Sequence, residues 1–321
     1  MDRITINYLV ERIPTEAAAY EFMERLRWPE KPVCPHCGSI NDHYFLRPAN
    51  GTSRKTRTGN VSERRVWKCK DCRRQFSVLT GTIFHGSKVS LRTWLFVVVE
   101  MCANRNGIAA REIERKYGVH PKTAWFMAHR IREAMANRNP SLLVGTIVAD
   151  ETWVGPEKGR MNRKTRARNP KALKTPVVAL IDAESGEVRA KVVADVTRAN
   201  LRQAIAENVE EERSTLWTDE SPVYIALGRT FALHNTVVHR QEMYVNRFTG
   251  ASTNKAENFF SQLKRSIDGT HHHVSREHLD RYVGEFAFRH STHKMPDTAR
   301  VHQLMSQTAG RRLSYKRVTQ S

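Results

Sequence analysis

The sequence contains no long apolar run. A helix that crosses a bilayer needs about 20 consecutive apolar residues, and the longest candidate, Trp94 to Met101, is short and interrupted by Glu100. The opening residues, MDRITINYLVER, show no secretory pattern, and no segment repeats along the chain. Acidic residues are in deficit: 33 Asp and Glu face 53 Lys and Arg, a formal net charge of +20 over 321 residues. Such a surplus fits a polyanionic partner or an anionic surface. Without a candidate anchor, nucleic acid is the expected partner and a membrane is not. Cysteines number only five, and their pairing argues against a disulfide framework. What the chain does have is a 40% apolar fraction, enough at this length for two or three folded domains.

Four of the five cysteines fall into two pairs, Cys34-Pro-His-Cys37 and Cys69-Lys-Asp-Cys72. Each Cys-x-x-Cys turn offers two thiolates to one tetrahedral ion, and two turns complete four-coordination. Four thiolates leave no open position, so the expected ion is one structural zinc. Free surface thiols or a redox pair are the alternatives, and a redox pair does not explain two motifs. His36 and His43 are spare ligands that four cysteines make unnecessary. Arg64, Arg65, Lys68, Lys70, Arg73 and Arg74 flank the second pair, which suits a phosphate-contacting module. Cys102 lies in the run WLFVVVEMCA and reads as a small buried hydrophobe.

Residues 1–30 read as a helical segment, with Ala19, Tyr20, Met23 and Leu26 at helix spacing and Pro29 as its stop. The zinc segment spans 31–80 and contains a polar, basic insertion, PANGTSRKTRTGN. Residues 87–138 read as three helices. Within them, Ile108 to Tyr117, Gly118-Val119 and Pro121 to Met135 resemble a helix-turn-helix. Gly118 supplies the turn, Pro121 suits a first helical position, and Ala124, Met127, Ala128 and Ile131 form the inner stripe. Lys122, Thr123, His129 and Arg130 are then the candidates to face DNA; an ordinary helical hairpin with a solvated basic face is the plainer alternative. Asn139-Pro140 breaks the pattern. Strand patterns follow in GTIVAD, TPVVALID, EVRAKVVAD, STLWTD and NTVVH, with helices expected from about Arg198 to Glu210, from Thr253 and from Ser275. The loop from Lys158 to Lys174 carries Arg163, Lys164, Arg166 and Arg168, either a phosphate-contacting stretch or a solvated one. Residues 296–321 read as a basic tail without periodicity.

Asp150 ends the apolar strand TIVAD, Asp219 ends TLWTD, and Glu257 sits near the start of the long helix TNKAENFFSQLKR. A carboxylate at the end of a buried strand is costly unless it meets a cation or hydrogen-bond donors. Two such residues with a helix-borne Glu suit two magnesium (or manganese) ions, because hard cations prefer carboxylate oxygens and keep positions open for phosphate and water. Two ions in such a site stabilise the attacking and the leaving oxygen of an in-line displacement. Lys264, two turns after Glu257, is placed to hold a phosphate. Plainer readings stay open: Asp219 as a helix cap and Glu257 as a solvated first-turn carboxylate. Glu151 and Glu220 alternate to the opposite side of an extended chain.

WKCKDCRRQFSVLTGTIFHGSKVSLRTW resembles the amino-terminal zinc ribbon of a bacterial insertion-sequence transposase family, and AREIERKYGVHPKTAWFMAHRIREAM resembles its helix-turn-helix. VADETWVG, WTDES and TNKAENFFSQLKRSIDGTHHHVSREHLDRYVGEFAFR resemble its catalytic domain. The resemblance spans roughly residues 15–295 with the domains in the same order. It implies an α/β fold, a ribonuclease H-like catalytic domain (a mixed sheet with helices) over 141–295, preceded by the ribbon and the helix-turn-helix. Asp150, Asp219 and Glu257 match the catalytic positions of the Asp-Asp-Glu transposase superfamily. The implied activity is metal-dependent cleavage at element ends and strand transfer into target DNA. The implied partners are double-stranded DNA and further copies of the chain, in the cytoplasm at the nucleoid. The chain departs from the family in a longer Cys37 to Cys69 gap, in Ser252 where His is expected, and in Asn258 and Phe260 where Gly and Trp are expected. Asn254 and Lys255 are further candidates in the third motif, and His271 to His273 match a His-rich turn. The rival readings are a non-catalytic zinc-ribbon and helix-turn-helix regulator, which leaves the carboxylates unexplained, and a nuclease of the same fold.

Overall fold

A computed structural model describes residues 4–46, 54–55, 61–136, 141–155, 174–237, 246 and 249–319. The chain forms two compact units, Met1–Ala134 with Met295–Ser321, and Met135–Lys294.

The first unit begins with α1 (Ile6–Arg12) and α2 (Glu16–Arg27). Thr5 and Thr15 start them, each side chain accepting the backbone N–H three residues on. Short strands β1 (Tyr44–Phe45), β2 (Arg54–Lys55), β3 (Val61–Ser62), β4 (Trp67–Lys68) and β5 (Gln75–Phe76) follow. The antiparallel order β1-β4-β5 makes the ribbon sheet, and β2, within the basic insertion, pairs with β3 just after it. Then come α3 (Leu91–Ala103), α4 (Ala110–Tyr117) and α5 (Pro121–Met135).

Helix α2 is the hub of this unit because its carboxylates reach outward. Glu16 accepts the N–H groups of Leu91 and Arg92 at 2.6 and 3.0 Å, satisfying two donors at the start of α3. Glu24 accepts from Arg65 Nε and Trp67 Nε1, both at 2.8 Å, and Glu21 accepts from Arg65 at 3.0 Å. Ribbon and helices are thereby held to one another. Helix α3 is buried nearly all round, from Leu91 through Cys102, which makes it the centre of the core. Gly118 ends α4 at φ +61, a left-handed cap that glycine adopts without strain. Ile113, Ala124, Met127, Ala128 and Ile131 are buried, the inner stripe that their spacing predicts.

The second unit holds β6 (Leu143–Val154), β7 (Thr175–Asp182), β8 (Val188–Val192), α6 (Arg198–Ala206), β9 (Val209–Asp219), α7 (Pro222–Leu227), β10 (Leu233–Val237), α8 (Asn254–Ser266) and α9 (Arg276–Ser291). Its five-stranded sheet runs β10-β9-β6-β7-β8. Strands β6, β7 and β8 are antiparallel, whereas β9 is parallel to β6 and β10 to β9, so the architecture is mixed α/β. Helix α6 ends at Ala206 rather than near Glu210, because Val209 already begins β9. The sheet is covered on both faces. Val148, Val154, Val177, Ala179 and Ile181 pack against Phe259, Phe260 and Leu263 of α8 and Val283 and Phe286 of α9. Ile147, Ala149, Val178, Leu180 and Leu216 pack against Leu201 and Ile205 of α6 and Tyr224 and Leu227 of α7.

The chain then returns to the first unit. The segment read as an aperiodic tail contains α10 (Asp297–Ser306) and α11 (Tyr315–Thr319). Val301, Leu304 and Met305 of α10 are buried, and Ile4 N–H donates to Thr298 Oγ1 at 2.7 Å. No helix among the described residues is long and apolar enough to cross a membrane.

Candidate active site and zinc centre

Strand register places the two aspartates. Val148 pairs with Trp217 across the parallel β6 and β9; Asp150 and Asp219 each stand two residues further on. They are therefore level on neighbouring strands, which lie about 4.8 Å apart. Side chains alternate along a strand, so Asp150 shares a face with Val148, and Asp219 with Trp217. Both of those residues pack in the layer under α8. Glu257 lies in the first turn of that helix, exposed beside the buried Ala256 and Phe260.

Electrostatics reports the same convergence. Burial pushes the Asp150 carboxyl up to about 7, and the charges of Glu151, Asp219 and Glu257 push the same way. The Glu151 N–H, donating to Asp150 Oδ1 at 2.8 Å, opposes the shift without cancelling it. A divalent cation relieves such crowding, and the donors here are all carboxylate oxygens, which suits magnesium or manganese. Burial, then Lys174, lower the Lys264 ammonium, while Asp150 and Asp268 counter them. Lys264 is thus within electrostatic reach of Asp150. Thr253 Oγ1 lies 3.5 Å from Glu257 Oε1, and Ser221 N–H donates to Asp219 Oδ1 at 3.0 Å. That last bond is a local turn two residues long; Ser221, not Asp219, holds the cap position of α7, so Asp219 ends its strand and steadies the chain entering the helix without capping it.

One site feature was not foreseen. Tyr224 Oη donates to Glu151 Oε2 at 2.7 Å on the opposite sheet face, and the tyrosine is 1% exposed. Its only sequence signal was a tyrosine five residues after Asp219. Lys255 donates to the Ala183 carbonyl and Asn254 is exposed at the helix start. His271 closes a π-helical turn, Ile267–His271, and His272 follows at φ +59.

The DNA-facing candidates separate. Lys122 is exposed and Thr123 partly so. His129 and Arg130 are buried at 0% and 4%, which corrects their place in that set. Arg130 donates to the His85 carbonyl at 2.6 Å, and its guanidinium stacks over the Trp94 and Phe126 rings. Arg163, Lys164, Arg166 and Arg168 lie outside the described residues.

In the ribbon, the sulfurs of Cys34, Cys37, Cys69 and Cys72 all lie within 4.8 Å of one another. Cys34 Sγ to Cys72 Sγ and Cys37 Sγ to Cys69 Sγ each measure 3.7 Å. A tetrahedron with zinc–sulfur bonds of about 2.3 Å has edges of nearly this length, so the four thiols fit one structural zinc. The two knuckles are built alike. Cys34 N–H donates to the Ser39 carbonyl at 2.9 Å and Cys69 N–H to that of Arg74 at 3.0 Å. Gly38 and Arg73 take the left-handed position, at φ +75 and +60. Asp71 joins them by accepting from the Ser39 hydroxyl and from Asn41 Nδ2.

Residues 142–291 match the ISXO2-like transposase domain, and residues 14–75 match the transposase zinc-ribbon domain. The chain belongs to the insertion-sequence transposases that carry an amino-terminal zinc ribbon. Within that class its transposase domain is of the ISXO2-like kind, so DNA is its partner. An uncharacterized protein in transposable element ISH50 of Halobacterium salinarum is 27% identical over 298 residues, 89% of this chain and 95% of the relative. A chain from the cryo-EM structure of a simian T-cell lymphotropic virus intasome in complex with PP2A regulatory subunit B56 gamma is 16% identical with a TM-score of 0.28. That match covers 53% of this chain and 61% of the other, less than two thirds of its length.

Proposed function

We propose that this protein is a metal-dependent transposase of the Asp-Asp-Glu type. Its second unit is a ribonuclease H-like catalytic domain that cuts at element ends and transfers the freed strand into target DNA. One observation carries the reading: Asp150 and Asp219 stand level on adjacent parallel strands, on the sheet face under the helix that bears Glu257. Two magnesium or manganese ions held there would supply charge stabilisation for the attacking and the leaving oxygen. Asp150, Asp219 and Glu257 hold them, and Lys264 offers a point charge to a phosphate oxygen.

The chemistry conserves bonds. Water attacks a phosphodiester at the element end, one P–O bond forms as another breaks, and a 3′ hydroxyl is released. That hydroxyl then attacks a target phosphodiester, again exchanging one P–O bond for another, so no outside energy source is needed. The ribbon over 31–80 and the helix-turn-helix over 87–138 hold the DNA, with Lys122 and Thr123 on the duplex. Arg163, Lys164, Arg166 and Arg168 add phosphate contacts. Two element ends must be joined, which requires several copies on one DNA.

A paired-end DNA assay with magnesium tests the proposal. The intact protein should cut and join, while Glu257→Gln should bind the same DNA and do neither. Joining that survives both Asp150→Asn and Glu257→Gln would sink the site assignment. Cutting without joining would favour a nuclease, and binding without either a regulator.

A further inference from the structure

Much of the arginine in the first unit is structural. Arg92 Nε donates to the Ile13 carbonyl at 2.7 Å, Arg300 to that of Cys102 at 3.1 Å, and Arg27 to those of Val78 and Thr80. Net charge alone therefore marks no face of this unit. The stretch after α10 is different, because its backbone is fastened down while its cations point outward.

The fastening has three parts. Ile83 N–H donates to the Thr308 carbonyl at 3.2 Å and Gly310 N–H to that of Gly81 at 2.8 Å, around an antiparallel bridge between Thr82 and Ala309. Arg311 donates to the carbonyls of Glu133 and Ala134 at 2.8 and 3.2 Å, at the end of α5. Leu313 and Val318 are buried, and the Tyr315 ring meets Phe126 and Trp125 of α5 edge-on at centroid distances of 5.4 and 6.4 Å. Residues 308–318 are thus a strap laid from the segment after the ribbon onto the second helix of the helix-turn-helix. Arg312, Lys316 and Arg317 are exposed on it, and none of the three forms an ion pair among the described residues.

Folding also sets the strap's charge against its own kind. Burial lowers the Arg130 guanidinium to about 10, and Arg312 adds to the shift. His85 is lowered by burial, then by Arg312, Arg130, Arg64 and His36. Cations from the ribbon, the segment after it, α5 and the strap are therefore gathered together. Such gathering destabilises a free protein by self-repulsion. A duplex, with one phosphate charge per about 1.7 Å of axis, supplies the missing counter-charge.

We propose that residues 308–318 form a DNA-binding strap, in which Arg312, Lys316 and Arg317 contact backbone phosphates of the duplex engaged by the helix-turn-helix. The contacts position the duplex and carry no sequence information. The inference rests on the transposase reading only for the identity of the polyanion.

The test uses the full chain with Arg312, Lys316 and Arg317 all changed to Gln. Its affinity is measured against salt for an element-end duplex and for an unrelated duplex of equal length. The slope of log affinity on log salt should become shallower by about 0.9 for each phosphate no longer neutralised, equally on both duplexes. Zinc content should stay unchanged, and the thermal midpoint should not fall, because removing the crowded cations relieves repulsion. Changing Arg312 and Arg317 to Lys should keep the slope, and each single Gln variant should show about a third of the effect. The charge-matched control Arg12→Gln, Arg25→Gln and Lys294→Gln, at exposed positions outside the ribbon, the helix-turn-helix and the strap, should retain the full slope. An unaltered slope in the triple variant, or an equal flattening in the control, overturns the strap. Failure of the intact protein to bind any duplex overturns both the strap and the transposase reading.

Discussion

The hydroxyl of Tyr224 donates to the carboxylate of Glu151 at 2.7 Å, tying the residue after Asp150 to the helix that follows Asp219. The bond lies on the sheet face away from Glu257, so it fastens β6 to α7 from behind; β6 runs on past Asp150 to Val154, so only Asp219 stands at the strand end that the sequence pattern suggests for both. Burial raises the Glu151 carboxyl, and the Tyr224 hydrogen bond opposes that rise. Tyr224→Phe should therefore destabilise the second unit by about 1–3 kcal/mol, read by denaturant unfolding. In a double-mutant cycle with Glu151→Gln the two changes should couple. Simple additivity would mean that the bond holds nothing.

Asp150 sets stability against chemistry. Its carboxyl is held at about 7, above the ordinary 3.8, so the folded protein binds this proton more tightly than the unfolded chain does. That contribution is complete below about 3.8 and is lost as pH rises through about 7. Without divalent cation, Asp150→Asn should be more stable than the parent at pH 8, by at most about 4 kcal/mol before allowance for residual solvent. The gap should close as the solution is acidified. Magnesium should raise the thermal midpoint of the parent and leave that of Asp150→Asn nearly unmoved. A parent that is the more stable of the two at pH 8 without cation would contradict the crowding argument.

Zinc should be found at one ion per chain by native mass spectrometry. Chelation or Cys69→Ser should unfold the ribbon, because binding at a structural thiolate site is coupled to folding. The Trp67 environment changes in that event. A ribbon that keeps its fold and its metal after Cys69→Ser would remove that residue from the ligand set.

The two knuckles offer a matched pair of substitutions. Gly38 and Arg73 occupy equivalent left-handed positions, and nothing lies within 4 Å of a β-carbon added at Gly38. Gly38→Ala should cost the ribbon about 1 kcal/mol through backbone conformation alone. Arg73→Gly should gain up to about 1 kcal/mol, measured as resistance to chelator-driven unfolding. Equal and opposite signs are not required, since Arg73 also carries charge, but the signs themselves must differ.

Elements with a repeating pattern were legible in the sequence. The apolar run in TIVAD announces a strand buried on both faces, and the stripe Ala256, Phe259, Phe260 and Leu263 announces the buried side of its helix; burial follows both patterns. The paired cysteines announced a metal site because four ligands in two turns have few other uses. Long-range polar bonds were not legible. Glu16 caps a helix that starts 75 residues away, and alternation turns Glu151 to the other sheet face from Asp150, where only the fold supplies its partner, Tyr224. His129 and Arg130 were misplaced because histidine and arginine are usually solvated; here Arg130 covers aromatic rings and reaches a carbonyl. Helix α10 escaped notice because Val301, Leu304 and Met305 make a single turn of pattern, too little to stand out among basic neighbours.

The order of the chain has a temporal consequence. Residues 308–318 are made only after the whole of the transposase domain, yet they are stitched to Gly81 and Ile83 and pack against α5. During synthesis, at about 5–20 residues per second, the ribbon and helices α3 to α5 emerge well before the segment that seals them. The interval is of the order of ten seconds or more. A nascent chain therefore spends that time with Trp125 and Phe126 lacking Tyr315 and with part of its cationic surface still unmade. A ribosome that stops inside the transposase domain leaves the preceding unit unfinished as well.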